Sequence, residues 1–286
     1  MQRVISIFSI LFTPVFFINN SVLAQDIAIK RENFLSNYVF KGNHIQFDVM
    51  AMSVFKARIV NQSGSYPVSS KAALGLSIGF KYKINFSNTK SLVIGPDVTI
   101  LGRTFITAFN KDDFSPPLIR NYRIKGINSY APVAVISLPI LFERRWLYAK
   151  TRHFFANAGG RFSFGAGADY ESMSIIVQNV NNGFIDVGGT NVYANNDAKP
   201  WISFPLNAGH SWLLKNNNLL QLSICGDISF TKYVNGTYTV ENVPNRVVTT
   251  GSYSSTGSYI GLSFSYVFTS ANYRIRKAFE KMRKNK

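Results

Sequence analysis

Three histidines are the first candidates for chemistry, because an imidazole acts as a general base beside a nucleophile or as a metal ligand. They are His44, His153 and His210. No two of them have the spacing of a helical metal site, and the one cysteine, Cys225, has no second thiol for a ligand cluster or a disulfide. Cys225 falls on the small-residue face of an alternating run and reads as a small filler. Asp112-Asp113 offers two adjacent carboxylates, but Ser115-Pro116-Pro117 follows, so the pair reads as solvated turn residues. Gly159-Gly160 lies in a strand pattern and Gly188-Gly189 in a polar loop; neither is a phosphate loop. The residues predict no catalytic constellation, no cofactor and no metal site.

The elements that would have to position any site are strands. From Ala72 to Phe86, Leu74, Leu76, Ile78, Phe80, Tyr82 and Ile84 alternate with Gly75, Ser77, Gly79, Lys81 and Lys83. Period two is the strand signal. Eight such runs are predicted: His44–Lys56, Lys71–Phe86, Ser91–Phe105, Tyr130–Phe142, Phe154–Gly165, Trp201–Trp212, Leu219–Thr231 and Ser258–Phe268. In the first run Met50, Met52 and Val54 spoil the polar face. The connections alternate in length. Ser87–Lys90, Glu143–His153 and Leu213–Asn218 are short, while Ala57–Ser70, Ile106–Ser129, Ala166–Pro200 and Lys232–Gly257 are long and turn-rich. Transmembrane barrels sort their loops in this way, with short periplasmic turns and long extracellular loops.

Steric reasoning chooses the face that meets the surroundings. An eight-stranded barrel has an interior just wide enough for side chains to fill. The bulky apolar set from eight strands does not fit there, whereas Gly, Ser, Ala and Asn with a few charges do. The bulky face therefore points outward, where only lipid suits it. The fold class expected is all-β: an eight-stranded antiparallel up-and-down transmembrane β-barrel. A soluble β-sandwich, which buries two such faces against each other, is the competing architecture.

Several positions follow from that orientation. Aromatic residues near strand ends, including Trp146, Trp201, Trp212 and Phe268, are expected as interfacial anchors. Trp201 and Trp212 have opposite parity, so one of them faces inward unless a bulge intervenes. A three-residue turn, Asn88-Thr89-Lys90, would pair Ser87 with Ser91 and bring Lys81 opposite Asp97 inside the barrel. Buried charges need partners, so a second lumen pair is expected between Asp227 and Arg161. All three histidines fall at periplasmic strand ends.

Both ends of the chain differ from the middle. Residues 1–24 read as a signal peptide, with Arg3, an apolar core from Val4 to Phe17 and Val22-Leu23-Ala24 as the cleavage pattern. Residues 25–43 read as a periplasmic lead-in, 44–268 as the outer-membrane barrel and 269–286 as a basic periplasmic tail. The tail carries Arg274, Arg276, Lys277, Lys281, Arg283 and Lys284, and Ile275, Phe279 and Met282 recur at helical spacing. The tail reads either as an amphipathic helix on the inner leaflet or as a frayed, solvated end. The formal charge of +17 raises nucleic-acid binding, but the cations are scattered before the tail and form no basic stripe. They suit outer-membrane lipid and lipopolysaccharide instead.

The hairpin GLSIGFKYKINFSNTKSLVIGPDV, the stretch ISLPILFERR and the final strand SYIGLSFSYVF together resemble the PorT-like, or porin family, outer-membrane barrels of Bacteroidetes. The resemblance implies an eight-stranded barrel in the outer membrane of a Gram-negative bacterium. It also implies the barrel-assembly machinery and secretion-system subunits as partners. The function expected is a non-enzymatic barrel that presents loops for binding, adhesion or envelope integrity. An accessory role in a protein secretion or gliding machine is the alternative. A lipid-modifying enzyme is disfavoured, since no polar residues group at the outer rim.

Overall fold

The computed structural model describes residues 39–273, 275 and 277, apart from residues 41, 65, 128–132, 150, 167–169 and 195–198. The expected signal peptide, most of the expected lead-in, and Arg274, Arg276, Lys281, Arg283 and Lys284 lie outside the described residues. In chain order the strands are β1 (His44–Val54), β2 (Arg58–Asn61), β3 (Val68–Ser69), β4 (Ala73–Asn85), β5 (Lys90–Ile94), β6 (Asp97–Leu101) and β7 (Thr104–Phe109). After a single 3-10 turn come β8 (Tyr122–Ile127), β9 (Val133–Leu147), β10 (Arg152–Ala166), β11 (Tyr170–Gln178) and β12 (Phe184–Ala194). Then follow β13 (Trp201–Leu213), β14 (Leu219–Ser229), β15 (Val234–Val240), β16 (Thr249–Ser255) and β17 (Tyr259–Phe268).

Eight staves close an antiparallel barrel: β1, β4, β5 with β6, β9, β10, β13, β14 and β17, with β17 pairing back to β1. Closure satisfies every strand edge within the ring. The third stave is interrupted at Gly95-Pro96, since proline has no N–H for the ladder. The Phe80 N–H reaches the Pro96 carbonyl across the break at 2.9 Å. Register therefore continues, with Tyr82 opposite Ile94 on one side and Gly79 opposite Asp97 on the other. A Cβ at position 95 would stand 2.2 Å from the Phe80 carbonyl oxygen, so this close approach requires glycine.

The alternation that defines each strand also defines two environments. On β4, Leu74, Leu76, Ile78, Phe80 and Tyr82 are exposed while Ser77, Lys81 and Lys83 are buried. On β17, Ile260, Leu262, Phe264 and Phe268 are exposed while Ser263 and Ser265 are buried. From Leu74 to Ile84 the rise is about 25 Å for a strand tilted by about 40°. Soluble monomers rarely expose apolar patches beyond roughly 300–600 Å², and a continuous band around a whole barrel far exceeds that.

Four of the seven connections between staves carry the surprise. The long connections are not irregular loops but strands. β2, β11, β12, β15 and β16 form a five-stranded sheet in the order β11-β12-β15-β16-β2, and β3, β7 and β8 form a second sheet. Together they build a cap over one mouth of the barrel. The outward face changes character along the way: Asn235, Thr237 and Thr239 on β15, and Thr250, Ser252 and Ser254 on β16, replace the leucines and phenylalanines below. The apolar band therefore ends where the cap begins. The other mouth has short turns.

The apolar core lies between cap and barrel. Met50, Met52, Val54, Leu101, Val135, Trp201 and Tyr259 line the upper barrel wall, and Phe105, Phe109, Tyr233, Tyr238, Val240 and Tyr253 come down from the cap. This explains why the small-residue face of β1 turns apolar at its end: Met50, Met52 and Val54 are the floor of the cap's core. It also corrects one anchor. Trp201 is inward and buried within this core, not at an interface, because its odd position shares the face of Ser203.

Candidate functional site

Below this apolar core the lumen is filled by charges in three layers. In the upper layer, the Arg161 guanidinium reaches three other staves. Its Nη1 is 2.6 Å from Asp227 Oδ2 and donates to Tyr259 Oη at 2.7 Å; its Nη2 is 3.3 Å from Asp97 Oδ2. Ser203 Oγ donates to the same Asp227 oxygen at 2.9 Å. A delocalised, always-charged guanidinium presents several donors in a fixed plane, which suits it to two carboxylates at once. A small cavity lined by Arg161, Asp227, Tyr259, Trp201 and Thr99 adjoins this cluster.

In the middle layer Lys81 pairs with Asp48, whose other oxygen accepts from Gln46 Nε2 at 2.7 Å. Lys81 therefore meets Asp48 rather than the expected Asp97. The turn between the paired Asn85 and Ser91 spans five residues, not three, so the hairpin pairing is displaced by two positions. The odd count keeps the apolar face outward, while Lys81 now faces β1 and Asp97 is held by Arg161 from β10. Opposite charges placed diagonally across strands remain within reach of a long side chain.

The lowest layer was not expected. Lys83 Nζ donates to Glu143 Oε2 at 2.8 Å, Ser91 Oγ to Glu143 Oε1 at 3.2 Å, and Arg145 Nε lies 3.7 Å from Glu143 Oε1. Arg145 Nη2 also donates to the Ser87 and Lys90 carbonyls at 3.0 and 3.1 Å. The signal was present: Glu143 and Arg145 continue the inward parity of β9. Ending the run at Phe142 assigned them to a turn, whereas β9 runs on to Leu147. His44 and His153 are buried in this layer. Phe40 closes the mouth, with the Arg145 guanidinium 4.2 Å over its ring and His153 at its edge, 5.2 Å between centroids. Val39, Phe40, Leu219, Val267 and Ala271 pack together there. Isolated buried charges are too costly to persist; here four cations, Lys81, Lys83, Arg145 and Arg161, meet four carboxylates, Asp48, Asp97, Glu143 and Asp227.

His210 sits outside, in an aromatic cluster at the short-turn end. It hydrogen-bonds Tyr148, meets Phe154 edge-on at 5.1 Å and lies 4.2 Å from the Trp212 ring. Trp146, Trp212 and Phe268 all have outward parity near this end. Cys225 is buried on the inward face. Lys277 is exposed.

In the cap, burial pushes the Tyr66 and Tyr233 phenols up to about 12, with Asp113 adding to the rise at Tyr66. Tyr66 Oη donates to the Ala108 carbonyl at 2.7 Å. An acid that keeps its proton longer when folded contributes stability below its unfolded value near 10, and that contribution fades as pH rises toward 12. The near-ultraviolet circular dichroism of the cap is expected to hold to about pH 10 and to be lost by about pH 12. Tyr66→Phe should move that loss to higher pH; an unchanged profile in both Tyr66→Phe and Tyr233→Phe would contradict it.

These features define a class: a closed β-barrel with an ionic interior, an apolar exterior and a β-structured cap. No family model and no curated protein matches the chain. Among solved structures it is similar to the outer membrane protein OprG from Pseudomonas aeruginosa, at 8% identity and a TM-score of 0.45, over 82% of this chain and 99% of that one. It is also similar to Neisserial surface protein A, at 12% identity and a TM-score of 0.32, over 78% and 96% of the two chains. The barrel assignment rests on the strand pairing of this chain itself.

Proposed function

We propose that the protein is a non-enzymatic integral barrel of a Gram-negative outer membrane whose cap presents an extracellular binding surface. The observation that carries this reading is the exposed apolar band around a barrel whose lumen charges pair with one another. A filled lumen suits a scaffold better than a solute path. The cap supports presentation because its strands pair into sheets and pack through a core shared with the barrel, and are not free loops. Its far end exposes Val180, Phe184 and Val247, with Phe184 at 75% and Val247 at 78%, the kind of apolar tip that contacts a partner.

The test is heat-modifiable gel migration of the detergent-extracted outer-membrane fraction, combined with thiol labelling of intact cells carrying Thr237→Cys. A heat-dependent shift and surface labelling are expected. Recovery from the soluble periplasm, or no shift, would overturn the reading. A role as an accessory of a secretion or gliding machine, in the manner of PorT-like proteins, is a second reading favoured by the same exposed tip. It requires loss of secretion on deletion and its restoration by the wild-type chain but not by Phe184→Ser with Val247→Ser.

A further inference from the structure

We propose that the outer wall of the barrel, at its short-turn end, holds the phosphate of an anionic phospholipid from the inner leaflet between Lys90 and Arg144. The inference rests on the membrane reading above. In the β5–β9 ladder Lys90 and Arg144 are direct partners, and both side chains are exposed on the outward face. Like charges directly opposite each other destabilise a sheet unless something neutralises them. Among the described residues nothing does so. The carboxylates of the barrel strands, Asp48, Asp97, Glu143 and Asp227, are all buried in the lumen. Along the same outward row, β4's side is followed by Phe86, and the positions beyond Arg144 are Ala156 and then Ala208. No described carboxylate faces this row.

The depth is that of a headgroup. On the outward face of β9, Arg144 stands between Phe142, 48% exposed within the apolar band, and Trp146. Tryptophan marks the interface in membrane proteins. A third exposed cation, Arg152, lies further toward the turns. Phe86 stands exposed on one flank. An anion reaching this point from the bilayer arrives with its acyl chains already against the band, and Ala156 and Ala208 leave room beside Arg144. A phosphodiester between an ammonium and a guanidinium has charge-assisted hydrogen bonds from both sides, and each basic residue near an anionic surface contributes about fivefold in affinity.

The experiment uses the full chain, purified in detergent and stripped of lipid, with native mass spectrometry of bound phosphatidylglycerol, diacylglycerol and lipid A. Wild type should retain phosphatidylglycerol and not diacylglycerol, which shares its tails but lacks the phosphate. Lys90→Gln or Arg144→Gln should weaken retention about fivefold, and both together about twenty-five-fold. Lys90→Glu should separate the effects: it places a carboxylate opposite Arg144, so the lipid-free barrel unfolds at higher temperature while lipid retention is lost. Equal retention of phosphatidylglycerol by wild type and the double variant would overturn the site, as would equal retention of diacylglycerol. Preference for lipid A over phosphatidylglycerol would overturn the inner-leaflet source. A wild-type protein without heat-modifiable migration removes the membrane reading and the site with it. Variants that keep the heat shift and also keep the lipid remove the site alone.

Discussion

Replacing Arg161 by leucine should lower the stability of the barrel by about 3–5 kcal/mol, the cost of leaving a buried charge without its partner. The guanidinium lies 2.6 Å from Asp227 and 3.3 Å from Asp97. Without it, two carboxylates face each other across a lumen from which water is largely excluded. Urea unfolding in vesicles, followed by loss of the heat-modifiable band, measures the effect. The triple variant Arg161→Leu, Asp97→Asn, Asp227→Asn removes all three charges and should recover most of the loss, because an apolar and amide filling of similar volume needs no ion pairing. If Arg161→Leu unfolds at the wild-type urea concentration, the cluster is solvated and the lumen is open to water. The triple variant guards against a trivial explanation: a purely steric role for Arg161 would leave it as unstable as the single variant.

Ile224→Arg should cost about 2–4 kcal/mol in a bilayer, the range for arginine near the midplane on the lipid face of a barrel. Ile224 is 62% exposed and sits midway along β14, between Leu222 and Gly226 on the outward row. Thr237→Arg, on the polar outer face of the cap, should stay within about 0.5 kcal/mol of wild type. The pair distinguishes two exposed surfaces that border different media. Refolding yield into lipid vesicles reads the difference. If Ile224→Arg and Thr237→Arg refold equally well, the outer band does not meet hydrocarbon, and the outer-membrane reading fails. The combination of this result with the Arg161 series also separates sidedness from packing, since one tests what lies outside the wall and the other what lies within.

Much of the barrel was legible because a strand's side-chain period is two, and parity survives any error in strand ends. Leu222, Ile224 and Phe264 belong outside and Ser223, Asp227 and Ser263 inside whatever the boundaries, and the structure agrees at each. Pairing of Arg161 with Asp227 follows from the same logic, since two inward charges of opposite sign in a narrow lumen leave few alternatives. Register was less legible. It depends on the length of one turn, and the five residues between Asn85 and Ser91 displaced Lys81 from Asp97 by two positions. The Lys83, Glu143 and Arg145 cluster was hidden by a strand end placed five residues short.

The cap was the least legible element. Turn-rich sequence such as Asn181-Asn182-Gly183 marks the hairpin between β11 and β12 and masks the strands on either side of it. Strands of seven residues such as β15 and β16, rich in Thr, Ser and Gly, carry weak hydrophobic alternation. Only their mutual pairing, and burial of Tyr238 and Tyr253 against Phe105, makes them strands. Local alternation thus determined which side chains face outward and which face the lumen, because that property belongs to each strand alone. Which charges meet, where the apolar band stops and that the long connections fold into a cap were decided by the tertiary structure, because each depends on residues that are distant in the chain and are brought together only when the barrel closes.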